Sequence, residues 1–555
     1  MVLDTEAAPR VKPSYLLLAG ILLLGFLPRM ANLSWGVPEL HRFMGRYMGY
    51  LYPDEPNLVQ QIRGILSDPL NNAPFIYPPL HAQIGALVAW PLGLTKTSSL
   101  FLVARSISIA ASILTILCVY LIGRFWNERT GLVAAAFLAV AMTSAREAHW
   151  ANPESLSAFL IALAVLCLYT ARTKHSTRSL FLLSVSIGFA ICSKYNGIFF
   201  LHLPFLVISE ACFNNPAGRR NQLYKLAASY ATIAVLVLIL LVPYIIYNRE
   251  SFVSSSNYTS GYLSSSNGLY GAFPKPVVRP HYTMDILPVA MGLPLYVLAL
   301  GGIALSVLSR QKHALFLLIA ILPCWIVLET LHYRPIRFSV CLLPLLCLFA
   351  AIVIERLLSS PKQHVIVTGR LILIAVLAYS LLYSFAFVNA FTVKKDVRWS
   401  VERWIQSTNP DRAGVAMLAH NLTTNSIGIV KYTAIDRFNG ESYDLSREPN
   451  AIIVPRVFLE SLKQCLELQE RGYSYSDFDW WPVTAPTPET LSLAQDLLQQ
   501  KTYGISHVFK NQAEFAGIKF NDDILKFDYL WVTNLEILVF QRRYSLATES
   551  RKPSD

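Results

Sequence analysis

Two acids side by side and a scattered set of cations are the residues here that could do chemistry. Asp54 and Glu55 stand together in Tyr52-Pro53-Asp54-Glu55. Pro53 and Pro56 stiffen the backbone around them, and Tyr47, Tyr50 and Tyr52 precede them. A partly desolvated carboxylate in such a place can take a proton from a hydroxyl; the plainer alternative is a solvated acidic pair in a loop. Glu154 ends the segment His149-Trp150-Ala151-Asn152-Pro153-Glu154. Asn, Pro and Glu in that order make an ordinary helix start. The same start holds a carboxylate rigidly, where it would orient an acceptor or ligate a metal. His149 is a further candidate in that loop.

The cations answer the acids. Lys194 lies in Ser193-Lys194-Tyr195-Asn196-Gly197, between two half-length apolar runs. A lysine near a bilayer centre costs roughly 2.5–3.5 kcal/mol on insertion scales, so it reads either as a phosphate partner or as a side chain snorkelling to the interface. Arg334 and Arg337 sit three apart in His332-Tyr333-Arg334-Pro335-Ile336-Arg337. They share a helix face and can grip phosphate oxygens, or else anchor the chain at the interface. Arg105, inside an apolar run, is a fourth donor-phosphate candidate. His149, Tyr52 and Tyr195 are candidate contacts for acceptor or sugar. A base, an acceptor hydroxyl and cations that neutralise a leaving phosphate form one coherent set, because fixed donors aimed at developing charge are often the largest catalytic term.

The elements that must position these residues are membrane helices. The chain has 555 residues, 54% hydrophobic and 15% charged, with mean hydropathy +0.42. A soluble domain carries about a quarter charged residues. Lipid is therefore the solvent for most of this chain, and continuous apolar runs of helix length exclude a barrel. Eleven spans are expected, at 15–31, 99–125, 130–145, 154–171, 179–193, 197–211, 223–247, 285–308, 313–331, 338–357 and 371–391. Residues 80–94 are apolar but short, and the charge pattern favours a helix lying along the surface. Without that span, Lys and Arg gather on the inner loops as the positive-inside rule requires. This distribution accounts for the net charge of +12 without nucleic acid, since no basic tract is interleaved with aromatics. The N-terminal apolar run reads as a retained anchor.

This topology brings Asp54-Glu55 (outer loop 32–79), 149–154, Lys194 and 333–337 to one outer face. The Ser- and Tyr-rich outer loop 248–284 joins them as a lid or a linker. The expected organisation is thus an α-helical polytopic membrane domain over 1–391, followed by a small extracytoplasmic α/β domain over 392–555. In that tail 414–418, 451–454 and 535–540 are expected as strands, and 401–407 and 491–501 as helices. Seven of the eight cysteines lie in or beside apolar spans, and no Cys/His cluster marks a metal. Sequons occur at Asn32, Asn257 and Asn421.

The ordered set of motifs resembles the GT-C membrane glycosyltransferases, in particular the protein O-mannosyltransferases and the bacterial lipid A aminoarabinose transferases. The pieces are Tyr52–Glu55, Tyr77–Leu80, Ala104-Arg105, Ser193–Gly197 and Arg337–Pro344 followed by Leu345–Ala351, and the resemblance runs over about 15–391. It implies inverting transfer from a polyprenyl-phosphate-linked sugar, at the bilayer and outside the cytoplasm, to an acceptor lipid, glycan or protein. By motif, Asp54 would be the base, Lys194 and Arg337 would meet the donor phosphate, and Glu55 and Glu154 would be supporting acids. Many relatives have an aspartate where this chain has Glu154. No cofactor is named by the residues; a divalent metal stays open. An oligosaccharyltransferase-like enzyme and a lipid-linked sugar transporter are the alternatives. Against the first, Asp479-Trp480-Trp481-Pro482 has the wrong order for the WWDYG motif. Against the second, the acids cluster on one face.

Overall fold

A computed structural model describes residues 13–37, 42–43, 46–47, 55–174, 176–214, 216–264, 280–331, 335–389, 397–408, 415–417, 433–434, 449–470, 488–520 and 536–543. Helices dominate as far as residue 389. In chain order they are α1 (Pro13–Met30), α2 (Glu55–Ser67), α3 (Leu80–Ala89), α4 (Thr97–Gly123), α5 (Glu128–Val140), α6 (Met142–Glu147), α7 (Glu154–Lys174), α8 (Thr177–Ser193) and α9 (Leu203–Asn214). Then follow α10 (Arg219–Leu240), α11 (Val242–Tyr247), α12 (Arg249–Ser264), α13 (Leu287–Met291), α14 (Leu293–Leu308), α15 (Lys312–Thr330), α16 (Leu343–Leu358) and α17 (Gln363–Asn389). Two 3₁₀ turns, Tyr195–Phe200 and Ile336–Cys341, carry site candidates.

Seven of the expected spans coincide with helical segments long and apolar enough to cross a bilayer: Pro13–Met30, Thr97–Gly123, Glu154–Lys174, Tyr195–Asn214, Pro216–Tyr247, Lys312–Thr330 and Gln363–Asn389. The other four are short or interrupted. The span at 130–145 breaks at Ala141, whose backbone is extended. That break frees the last carbonyls of α5, and the Arg29 guanidinium of α1 caps them, 2.8 Å from the Ala139 oxygen and 3.3 Å from that of Leu138. The span at 285–308 breaks at Gly292, where φ is +82°. The span at 338–357 opens as a 3₁₀ turn before Pro344 starts α16. The fourth, α8, has 17 residues.

Residues 80–94 do not form a twelfth span. Helix α3 has ten residues, about 15 Å of rise against a hydrocarbon core of about 30 Å, and it packs on α2 and α4. Loop 248–284 is corrected in part: 249–264 is helix α12. Its polar residues hold the first polar loop. Asn248 donates to the Leu70 carbonyl (2.8 Å) and accepts from Asn72 N (3.3 Å), while Ser251 Oγ accepts from Phe75 N (2.8 Å).

Small residues bring the central helices together, as membrane packing requires. Residues 134–140 of α5 are fully enclosed except Ala136 at 8%. Gly302 of α14 lies so close to α16 that a Cβ there would stand 1.9 Å from the Phe349 carbonyl oxygen.

Beyond α17 the period changes from helical to alternating. Strands β1 (Arg42–Phe43) and β2 (Arg46–Tyr47) form a small ribbon in the first loop. The tail holds α18 (Val397–Thr408), β3 (Val415–Met417), β4 (Thr433–Ala434), β5 (Ala451–Pro455), α19 (Arg456–Glu470), α20 (Pro488–Gln499), β6 (Tyr503–Lys510), β7 (Glu514–Phe515), β8 (Ile518–Lys519) and β9 (Glu536–Arg542). The sheet order is β4-β3-β5-β9-β6; β3 is parallel to both neighbours, and β9 is antiparallel to both of its own. Alternate residues face opposite layers. Ile453, Ile537 and Val539 meet Val401, Trp404 and Ile405 of α18. Ile452, Val454, Leu538 and Phe540 meet Leu459 of α19 and Leu491 and Leu497 of α20. The β7–β8 hairpin turns through Ala516 and Gly517, both with positive φ, as a two-residue hairpin favours. It docks on α17, with Phe515 stacked on Phe385 (5.2 Å) and Asn389 donating to the Glu514 carbonyl (2.9 Å).

Candidate active site

Three buried acids organise one end of the helix bundle. Glu55, the first residue of α2, is fully enclosed and accepts from Arg105 Nε and Nη2 at 2.7 Å each. Such fork-to-fork pairing is the strong form of an ion pair. Arg105 Nη1 also donates to the Leu33 carbonyl (2.5 Å) and the Trp35 carbonyl (2.8 Å). Glu55 Oε1 in turn accepts from Ala151 N at 2.7 Å. Arg105 was expected to face a donor phosphate. Its donors are instead turned to Glu55 and two carbonyls at 1% exposure, so it fastens the first polar loop to α4 and to segment 147–154.

That segment carries the second acid. Glu147 accepts from Arg146 Nη1 (2.9 Å) and from Asn152 Nδ2 (3.2 Å), all three groups buried. Trp150 packs edge-on against Trp35 (5.6 Å) and under the Arg105 guanidinium (5.9 Å). His149 holds the segment to α1: its ring nitrogens face the carbonyls of Ala145 (3.0 Å) and Ala31 (2.8 Å). Burial pushes its pKa down to about 4, so the ring is neutral at physiological pH. The neutral ring donates to one of these carbonyls, and both nitrogens face backbone, which departs from the expectation that His149 contacts an acceptor or sugar.

Glu154 is the third acid, 3% exposed at the start of α7. Its Oε1 lies 2.7 Å from Lys194 Nζ and 3.6 Å from Arg337 Nε. Lys194 follows α8, where the chain leaves the helix with an extended backbone; this turns the ammonium toward α7. Asn196 secures the following turn by accepting from Ser157 Oγ of α7 (2.9 Å). Arg337 comes from the 3₁₀ turn ahead of α16, which Tyr282 fixes by donating to the Pro335 carbonyl (2.9 Å). The Phe338 ring lies beside both cations, 4.7 Å from Lys194 Nζ and 6.0 Å from the Arg337 guanidinium carbon.

Glu154 thus joins residues 40 and 183 positions away in sequence, and the trio carries a net charge of +1. Lys194 and Arg337 keep 12% and 10% of their side chains exposed, against 2% for Glu154, so the cations are the more accessible part of a largely buried trio. A carboxylate already facing two cations does not fit as a divalent-metal ligand. Among the described residues, no group of three His, Cys, Asp or Glu side chains could hold a metal ion.

Sequence reasoning passed over two features. One is the buried Arg146–Glu147 pair. His81 of α3 follows the quoted Tyr77–Leu80 motif; it is fully buried, its Nε2 lies 3.2 Å from the Ala104 carbonyl, and Glu154 lies within its electrostatic reach. Tyr195 is 40% exposed, unlike the inward-turned Lys194 beside it. Asp54, Tyr52, Arg334 and 479–482 lie outside the described residues.

Comparison with known proteins agrees with this architecture. Residues 86–247 match the family model of dolichyl-phosphate-mannose-protein mannosyltransferases. The Archaeoglobus fulgidus oligosaccharyltransferase, tethered with an acceptor peptide containing the NVT sequon, is similar in structure at a TM-score of 0.52 and 13% identity, over 95% of this chain and 88% of that one. The same enzyme in complex with an inhibitory peptide and a dolichol-phosphate gives the same values. ArnT from Cupriavidus metallidurans, bound to undecaprenyl phosphate, gives a TM-score of 0.48 and 13% identity over 95% and 97%. No curated protein sequence matches the chain. The chain shares the fold of the archaeal oligosaccharyltransferase and matches the mannosyltransferase family model over part of its length, and its long apolar helices make it a multi-pass membrane protein.

Proposed function

We propose that this protein is an inverting glycosyltransferase that moves a sugar from a polyprenyl-phosphate donor to an acceptor hydroxyl on a lipid, glycan or protein. The observation that carries the reading is the buried trio of Glu154, Lys194 and Arg337, two cations held by one carboxylate at the end of the bundle where the first outer loop is fastened. In the reaction, Asp54 takes the proton of the acceptor hydroxyl. The freed oxygen attacks the anomeric carbon opposite the phosphate, and the bond from that carbon to the phosphate oxygen breaks. The phosphodiester leaves as a phosphomonoester, so one negative charge develops on it. Lys194 and Arg337 meet that charge without reorganising, because Glu154 already holds them. A single in-line displacement inverts the anomeric centre. Glu55 acts through Arg105, fixing the loop that carries the base; Arg334 is placed with Arg337 at the phosphate.

The donor class is supported by the mannosyltransferase family match and by the dolichol-phosphate bound to the archaeal enzyme of the same fold. The reading places residues 1–391 in the plasma membrane as the catalytic domain, with the site facing the periplasm or cell exterior and the tail on that side. The test is sugar transfer by the full chain in lipid. Polyprenyl-phosphate mannose, glucose, galactose and aminoarabinose are offered with cell-envelope extract as acceptor, for wild type and Asp54→Asn. Release of polyprenyl phosphate by wild type, lost in Asp54→Asn with donor binding retained, is the expected result. Equal turnover by both proteins removes Asp54 from the mechanism.

A further inference from the structure

Glu154 and Arg172 mark opposite ends of α7. Eighteen residues at about 1.5 Å each put them about 27 Å apart, close to the thickness of a hydrocarbon core. At the Arg172 end, α7, α8, α9 and α10 enclose a cavity of about 300 Å³. Its polar wall includes Arg172, Glu210, Lys225 and Ser176; its apolar wall includes Leu180 and Val207. Arg172 is fixed there, donating to both oxygens of Glu210 at 2.7 and 2.8 Å while its guanidinium carbon lies 4.3 Å from the Phe316 ring centre. Lys225 is half-buried, and its ammonium has no hydrogen-bond or ion-pair partner among the described residues. Exposed Arg178 and Arg219 stand in the first turns of α8 and α10.

We propose that this cavity binds the phosphodiester headgroup of an anionic phospholipid, in the leaflet opposite the candidate active site. The charges of its wall decide the ligand class. Arg172 and Lys225 against Glu210 leave +1, which matches the single negative charge of a phosphodiester. A phosphomonoester, at about −1.5 to −2, is under-compensated and meets Glu210 as well. A headgroup hydroxyl gives Glu210 a hydrogen to accept, and Leu180 and Val207 take the first methylenes of an acyl chain. Basic pockets between helices at a membrane face are suited to such headgroups.

Native mass spectrometry of the full, delipidated chain in detergent tests this, with dioleoyl phosphatidylglycerol, dioleoyl phosphatidylcholine and the soluble diester glycerophosphoglycerol as probes. Phosphatidylglycerol is expected to be retained in preference to phosphatidylcholine. Lys225→Glu is expected to lower its retention about tenfold or more, and Lys225→Arg to preserve it. Lys225→Gln carries the same expected loss should the reversed charge unfold the chain. Equal retention of the two lipids, or unchanged phosphatidylglycerol retention in a folded Lys225→Gln protein, overturns the site. Binding of the soluble diester as tight as that of phosphatidylglycerol overturns the lipid and assigns a free phosphate ligand. Sugar transfer is not the readout, so failure here leaves the proposed reaction standing.

Discussion

Replacing Glu55 by Gln removes one charge from a pair with almost no solvent around it. Arg105 and Glu55 expose 2% and 0% of their side chains, so water cannot take over the role of the carboxylate. A glutamine can still accept from Arg105 Nε and Ala151 N through its oxygen. Its NH₂ group then opposes an Arg105 donor that now sits 2.7 Å from a carboxylate oxygen. One charge-assisted bond becomes a donor–donor contact, and a guanidinium is left buried without a counter-ion. Breaking a buried pair in this way costs about 3–5 kcal/mol. At about 2 °C per kcal/mol, the low end for large chains, Glu55→Gln should melt about 6–10 °C below wild type. The assay is thermal unfolding of the purified protein in detergent, followed by intrinsic fluorescence. A second variant separates burial from shape: Glu55→Leu with Arg105→Met removes both charges and should recover part of the loss, because apolar replacement of a whole buried pair is often neutral. A Glu55→Gln protein that melts like wild type would refute the reasoning, since it would mean that the pair contributes nothing to holding the first loop.

Two other outcomes follow from the same structure. The neutral, buried His149, with its pKa near 4 against an ordinary 6.5, makes the native state bind fewer protons than the unfolded state below pH 6.5. Stability should therefore fall as pH drops from about 6.5 to about 4, by about 3 kcal/mol, and His149→Gln should flatten that part of a melting-temperature profile. Gly302→Ala would place a methyl group 1.9 Å from the Phe349 carbonyl oxygen, with backbone and no flexible side chain in the way; loss of folded protein in size-exclusion chromatography of membrane extracts is expected.

Hydropathy made the long spans readable because lipid leaves an unbroken apolar run little choice but a helix. It did not reveal the break at Ala141. Both flanks are good helix formers, and the freed carbonyls are capped by Arg29 from a helix more than a hundred residues away. Helix α12 was hidden for a similar reason. Its Ser and Asn residues read as a loop, yet Asn248 and Ser251 spend their hydrogen bonds on 70–75. In the tail, alternation showed β5 and β9, while α19 and β6 were passed over. At the site, Glu154, Lys194 and Arg337 were each singled out by type and local motif. Their union on one carboxylate is a tertiary fact that no local pattern carries. Arg105 shows the converse: an arginine inside an apolar span suggested a phosphate, and burial beside Glu55 gave it a different partner.

The central claim is that Lys194, held by Glu154, stabilises charge on a departing phosphate. Its most direct test is the turnover of Lys194→Gln in the polyprenyl-phosphate sugar assay. Arg337 remains beside Glu154 in that variant, so the fold should survive and the melting temperature should stay near that of wild type. The account expects kcat to fall about 100-fold or more, the usual cost of removing one donor to a developing oxyanion, with a smaller change in KM. A folded Lys194→Gln protein with unchanged kcat would contradict it.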